Sequence, residues 1–184
     1  MGIESQYLGM DNFDYALQKT LRWEGGYQAD KRDKGNYNSL GQLVGTNMGI
    51  SAPVLEKQIG HPPTVEEMKA LTPETAAEIY RQYWQAVKAG QIINPDLAAL
   101  LFDMAVNHGP RSAVRIAQRA IGLKPDGKMG PVTLAALNRS KPVWFIELIV
   151  AERVSVYRAL IARNASLKAF YSGWINRANS FLAK

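Results

Sequence analysis

A glutamate in an unusual position is the first candidate for chemistry in this sequence. Residues 22–35, RWEGGYQADKRDKG, place Glu24 directly before two glycines and a charged run. The residues before Glu24 have the spacing of one buried helical face, made up of Phe13, Ala16, Leu17, Thr20 and Leu21. We expect Gly25 and Gly26 to end this helix in left-handed conformations, with Glu24 at its negative end. Burial and the dipole would both raise the pKa of Glu24, as a general acid requires. The alternative is that the helix frays and Glu24 points into water.

A long polar segment follows this glutamate. Residues 25–50 are rich in Gly, Asn, Asp and Lys and contain few large apolar side chains. They predict a long loop or a small β-hairpin after the first helix. Loops longer than about 12 to 15 residues are usually functional or disordered, so the length itself indicates a site.

The composition excludes several kinds of site. The chain has 184 residues, 47% of them hydrophobic, as is typical of a globular protein with one core or two small lobes. It has no cysteine and two well-separated histidines, His61 and His108, so we predict no disulfide, no metal site and no cofactor. Lysines and arginines exceed acids by 22 to 16, which favours an anionic partner. These basic residues read as scattered, with no dense Arg/Lys helix face, so we expect no nucleic-acid binding.

The N-terminus shows no basic or apolar targeting segment, and no later stretch reaches membrane-spanning length. We therefore expect synthesis in the cytoplasm without a signal peptide, and no stable membrane insertion.

Capping residues and prolines from Ser51 onward predict an all-α chain of about eight helices. The segment 96–109, DLAALLFDMAVNHG, is apolar nearly all round and predicts a central buried helix on which Asp103 and Asn107 share a face. A long helix from about residue 142 to 163 places Arg153 in an apolar stripe. There its guanidinium needs a carboxylate partner unless it reaches the surface.

Motifs spread over residues 11–180 resemble one known family. In the first half they are WEGGY, Asp33-Lys34-Gly35 and GTNMGIS; in the second they are YRQYW, DMAVNHGP, AQRAIGLKPDGKMGPVTLAAL and FYSGWINR. Together they are similar to glycoside hydrolase family 108, phage-type endolysins and secreted muramidases with a peptidoglycan-binding half. The family pattern is interrupted here by NYNSLGQLV, which makes the loop about eight residues longer than that pattern. The resemblance implies a lysozyme-like catalytic lobe over residues 9–93 and a helical peptidoglycan-binding lobe over residues 94–184.

The resemblance also implies site residues. Glu24 matches the catalytic glutamate, and Asp33 and Thr46 match the loop acid and threonine that face it. Asp30 competes with Asp33 for its role. Glycosidic cleavage needs one protonated carboxyl and a second, ionised group across the bond. Candidate substrate contacts are Tyr27, Trp84 and Asn107, each of which could instead serve packing or a buried polar network.

The function implied is an N-acetylmuramidase that cleaves the β-1,4 bond of peptidoglycan glycan strands. The alternatives are a catalytically inactive peptidoglycan-binding module and a basic helical scaffold for an acidic partner. We expect a monomer that acts in the periplasm or on the cell wall after delivery by a holin or by secretion machinery.

Overall fold

A computed structural model describes residues 11–139 and 142–182, with only the backbone of Pro142. Within these ranges the chain forms nine α-helices and one antiparallel pair of two-residue strands, which confirms the predicted all-α, lysozyme-like class with a hairpin after the first helix. The elements are α1 Asn12–Leu21, β1 Thr46–Asn47, β2 Ile50–Ser51, α2 Ala52–Ile59, α3 Val65–Lys69, α4 Pro73–Ala86, α5 Pro95–His108, α6 Pro110–Ala120, α7 Pro131–Asn138, α8 Pro142–Arg163 and α9 Tyr171–Asn179. Three 3-10 turns lie at Lys34–Asn36, Ala89–Gln91 and Ala165–Phe170. No helix in the described part of the chain is long and apolar enough to cross a bilayer.

The chain divides into two compact units. We call Leu17–Gln82 the loop unit, and residues 11–16 together with the described residues from Tyr83 onward the helical unit. The divisions fall inside α1 and inside α4. The lobe boundary predicted after residue 93 remains a prediction.

The helix boundaries follow the capping chemistry of the sequence. Thr64 and Glu67 form the expected capping box at the start of α3, and the side chain of Asn94 caps α5 by accepting a hydrogen bond from the Leu97 amide. Gly60 ends α2 in the left-handed conformation, with φ +82°. Local sequence therefore determines these three ends.

The hairpin in the loop unit is made by a very tight turn. Thr46 pairs with Ser51 and Asn47 with Ile50, so Met48 and Gly49 form the two-residue connection. Both have positive φ, 49° and 73°, the geometry of a type I′ turn. The buried Ile50 anchors the hairpin to the core of this unit.

The core of the helical unit surrounds α5, in which every residue from Leu97 to Ala105 is buried. Asp103 is fully buried and pairs with Arg153 at 2.7 Å and with Arg177 at 2.8 Å. The prediction that Arg153 needs a carboxylate partner is therefore confirmed, and that partner is Asp103 on the central helix. Arg177 is a second cation of this cluster that the sequence did not indicate.

Candidate active site

Glu24 does not lie on a helix. The helix α1 ends at Leu21, and the chain continues through turns in which the Trp23 and Glu24 amides donate to the Thr20 and Leu21 carbonyls. The prediction that the helix reaches Glu24 is therefore wrong, and the glutamate is half-buried rather than buried. Gly25 and Gly26 were expected to end the helix with positive φ, and neither has it. The stripe is buried as far as Thr20, whereas Leu21 is half-buried and the next two residues, Arg22 and Trp23, are exposed.

The carboxyl group of Glu24 lies against the hairpin turn of the loop unit. A methyl group built on Gly49 would lie 2.6 Å from the Glu24 carboxyl carbon and 2.5 Å from the Tyr80 hydroxyl oxygen. That hydroxyl donates to the Met48 carbonyl at 2.7 Å. Gly49 is thus required both by its φ of +73° and by the close approach of this carboxyl.

Asp33 lies at the other, open end of the same hairpin. Its side chain accepts a hydrogen bond from the Gly35 amide at 2.8 Å and begins the 3-10 turn that follows. A methyl group on Gly35 would be 3.5 Å from the Ser51 side chain, and Ser51 pairs with Thr46. The exposed Asp33 is therefore held close to the strand pair that carries Thr46.

Thr46 is fixed by its main chain and by its hydroxyl. Its backbone pairs with Gln28 through two hydrogen bonds of 2.8 and 2.9 Å. Its hydroxyl donates to the Asn36 side-chain oxygen at 2.6 Å. Because a hydroxyl has one proton, the Thr46 oxygen can only accept further hydrogen bonds, for example from a water.

Asn36 is a positioning residue that the sequence analysis missed. It is fully buried in the loop unit. Its amide nitrogen donates to Gln28 at 2.9 Å and to the Asp30 carbonyl at 3.0 Å, and its oxygen accepts from Gln28 and Thr46. An asparagine in a Gly/Asn-rich loop looks like a turn former in sequence, so no local signal distinguished it.

Asp30, the competitor of Asp33, is occupied by a cation. Arg32 pairs with it at 2.6 Å, and the hydrogen bonds from Arg32 lower the pKa of Asp30 to about 2. Asp33 has no such arginine among the described residues. The contacts therefore favour Asp33 as the carboxylate available to a ligand.

Tyr27 packs back onto the loop while leaving part of its ring exposed. Its hydroxyl donates to the Val44 carbonyl at 3.2 Å, and a methyl group on Gly45 would clash with its ring at 2.6 Å. The Lys69 ammonium lies 5.0 Å from the ring centre. One third of Tyr27, 36%, remains exposed and could still contact a sugar.

The other two predicted contact residues, Trp84 and Asn107, belong to the helical unit. Trp84 is buried, and its ring packs edge-on against Phe13 and Phe102 at centroid distances of 5.7 and 5.8 Å. Asn107 is exposed, and its oxygen accepts from the Tyr157 hydroxyl at 2.8 Å and from Arg153 at 3.5 Å. Their roles as substrate contacts remain predictions. No group of three His, Cys, Asp or Glu residues in the described ranges is arranged to hold a metal ion.

Comparison with known proteins defines the class of this molecule. Residues 17–109 match the model of the Glycosyl hydrolase 108 family, and residues 112–179 match a family described as "Predicted Peptidoglycan domain". The chain belongs to the Glycosyl hydrolase 108 family, and the two matches together define a glycoside hydrolase that acts on peptidoglycan.

A solved structure is similar along nearly the whole chain. The structure of Brucella abortus SagA is 29% identical in sequence and superposes with a TM-score of 0.75. The match covers 92% of this chain and 90% of that one. No curated protein matches the sequence.

Proposed function

We propose that this protein is an N-acetylmuramidase that cleaves the β-1,4 bond between N-acetylmuramic acid and N-acetylglucosamine, with Glu24 as general acid. The observation that carries the proposal is the position of the Glu24 carboxyl against Gly49. The turn that requires this glycine belongs to the hairpin whose open end holds Thr46 and lies next to Asp33. One hairpin thus lies against a half-buried carboxyl at its turn and, at its open end, carries a hydroxyl next to an exposed carboxylate.

The proposed reaction uses these groups in an inverting displacement. Glu24 gives its proton to the glycosidic oxygen as the bond between that oxygen and the anomeric carbon breaks. A water attacks the anomeric carbon from the opposite face and passes a proton to Asp33. Thr46 would hold this water as a hydrogen-bond acceptor, because its own proton is donated to Asn36. Asp33 has one carboxylate oxygen fixed by the Gly35 amide, which orients the other for this role.

The test is digestion of purified peptidoglycan, with the new reducing ends identified by borohydride reduction and mass spectrometry. We expect reduced N-acetylmuramic acid from the wild type. Glu24→Gln keeps the shape of the side chain and removes the titrating proton, so the rate should fall by at least about 10² with no loss of folding. Reduced N-acetylglucosamine would contradict the assignment of the cleaved bond. A Glu24→Gln variant with a rate near that of the wild type would contradict the role of Glu24 as general acid.

A matched pair of variants separates the two loop acids. Asp33→Asn should lower the rate strongly, whereas Asp30→Asn removes only a carboxylate already paired with Arg32. In early-time NMR, before mutarotation, the first anomer should be α. Prompt appearance of the β-anomer would show retention and would remove the proposed role of Thr46.

A catalytically inactive peptidoglycan-binding module remains the alternative, and it would bind sacculi without releasing reducing ends. The proposed substrate lies outside the inner membrane. The proposal therefore includes delivery to the periplasm or cell wall by a holin or secretion machinery, and action there as a monomer.

A further inference from the structure

The helical unit contains a cationic cavity that the proposed reaction does not use. It encloses about 380 Å³ between α6 and α8, next to the end of α5, a size typical of small-ligand sites. The polar part of its lining comes from His108, Ser112, Arg115 and Arg119, and the apolar part from Ile116, Val156 and Leu160.

The charge of this cavity comes from an arginine row on α6. Arg111, Arg115 and Arg119 follow at intervals of four residues and so share one helix face. The prediction that no helix carries such a face is therefore wrong. The spacing of four residues between these arginines is visible in the sequence, although the mixed composition of the segment obscures it.

Arg115 differs from Arg119 in having no partner among the residues that the structure describes. Arg119 pairs with Glu152 on α8, with 2.5 Å between Nε and Oε1. The Nε of Arg115 is buried, and no described residue accepts a hydrogen bond from it. The Nε2 of His108 is likewise buried without a partner in the described part of the chain. Buried polar atoms are nearly always hydrogen-bonded, and the half-buried guanidinium of Arg115 favours an anion that can accept from its buried Nε.

The apolar part of the lining limits the chemistry of that anion. Ile116 is buried, while Val156 and Leu160 present aliphatic side chains from α8. A suitable ligand therefore carries a carboxylate next to a small apolar group, as a short acidic peptide containing alanine does. Uncharged N-acetylated sugars offer no charge to Arg115.

We propose that this cavity binds the acidic stem peptide of peptidoglycan, with a stem carboxylate paired with Arg115 and an alanine methyl against Ile116 and Val156. The assignment rests on the proposed function, because it takes peptidoglycan as the substrate. It adds a peptide-recognition site to the helical unit, separate from the glycan chemistry of the loop unit.

Calorimetric titration of the full chain with the free tetrapeptide Ala-γ-Glu-diaminopimelate-Ala tests the site. We expect saturable binding to the wild type and a loss of about tenfold to a hundredfold in affinity for Arg115→Gln, since this variant removes a charge-assisted hydrogen bond to the peptide carboxylate. The affinity of Arg115→Lys should fall between those of the wild type and Arg115→Gln, because lysine keeps the positive charge but lacks the planar guanidinium that can donate two parallel hydrogen bonds. The matched control is Arg111→Gln, on the same helix face but outside the lining, which should bind as the wild type does. Circular dichroism and thermal melting check that each variant is folded.

Two further ligands identify the bound group. The same peptide with its carboxyls amidated should not bind, and inorganic phosphate should compete weakly. Equal competition by phosphate would assign the cavity to phosphate-bearing polymers, and equal losses in Arg111→Gln and Arg115→Gln would reduce it to general surface charge. Absence of peptide binding by the wild type at millimolar concentration would also overturn the proposal.

Glycan strands freed of peptide separate this proposal from the proposed function. If the wild type cleaves them but binds no tetrapeptide, the cavity assignment fails and the muramidase assignment stands. If the tetrapeptide binds but no peptidoglycan substrate is cleaved, the reverse holds. If both proposals are right, Arg115→Gln should raise KM on native sacculi and leave the rate on peptide-free strands unchanged.

Discussion

The loop unit and the helical unit hold their polar groups in opposite ways. In the loop unit, neutral side chains do the positioning: Asn36 and Gln28 fix Thr46, while Asp33 stays exposed. In the helical unit, the charged groups are inside, with Asp103 between Arg153 and Arg177. A carboxylate that acts on a substrate cannot be tied up in an ion pair with a buried cation. A carboxylate that joins three helices can form such ion pairs, because its two cationic partners offset its cost of desolvation.

The difference predicts where substitutions act. Changes in the loop unit should lower activity more than stability, whereas changes to the buried ions should do the reverse.

Asp103→Asn should cause the largest loss of stability. It removes the carboxylate that the buried Arg153 and Arg177 share, and breaking a buried pair in this way costs about 3–5 kcal/mol. Urea denaturation gives the free energy of unfolding. The matched control is Glu152→Gln, which breaks the partly exposed pair with Arg119 and should cost no more than about 1 kcal/mol. Equal losses in the free energy of unfolding for the two variants would show that the buried ion cluster contributes no more to stability than the partly exposed pair.

Asn36→Ala should lower activity and stability together. It removes the side chain that accepts the Thr46 proton and joins Gln28 to the Asp30 carbonyl, so we expect a stability loss of about 1–3 kcal/mol and a fall in kcat with little change in KM. The matched control is Asn38→Ala. Asn38 is also buried and bonds Gln42 and the Pro63 carbonyl, away from Thr46. The Asn38→Ala variant should lose a comparable amount of stability and keep the wild-type kcat. A similar loss of kcat in this variant would mean that general disorder of the loop lowers kcat in Asn36→Ala.

The sequence predicted the helix ends better than the site. Helix starts at Asn94 and at the Thr64–Glu67 box are set by side chains within three residues, so local chemistry is sufficient to place them. The path of the chain at Glu24 depends on where the core ends and on Gly49, 25 positions later, neither of which shows in the spacing of α1. Asn36 was missed for the same reason, because its partners come from two sides of the loop. The sequence predicts a long loop or a small hairpin here, but tertiary contacts determine how that hairpin lies against Glu24, Asp33 and Asn36.

Acid should destabilise the helical unit through His108. Burial and the nearby Arg153 lower its pKa from 6.5 to about 4. In the unfolded chain His108 is protonated below about pH 6.5, whereas in the folded chain it is protonated only below about pH 4. The free energy of unfolding therefore falls as the pH falls from 6.5 to 4. His108→Gln should flatten this loss by an amount on the order of 2 kcal/mol, measured by urea denaturation at pH 7 and pH 4.5. His61→Gln, which removes the exposed histidine, should not flatten it. An unchanged slope in His108→Gln would show that other groups carry the acid response.

The smallest effect is expected from the exposed pair His61–Glu67 in the loop unit. The two side chains lie 2.8 Å apart, and the hydrogen bond from His61 adds to that from the Thr64 amide in lowering the pKa of Glu67. Glu67 in turn raises the pKa of His61, so any stability from the pair is fully present below the unfolded value of 6.5 and lost as pH rises through the folded value. Because both groups face water, Glu67→Gln should shift Tm by only about 1–2 °C at pH 6, and by less at pH 8.5 or in 1 M salt. Gln keeps an acceptor for the Thr64 amide, so the capping box remains and the shift reports the charge alone. A shift as large as that of Asp103→Asn would erase the contrast between the exposed charges of the loop unit and the buried ions of the helical unit.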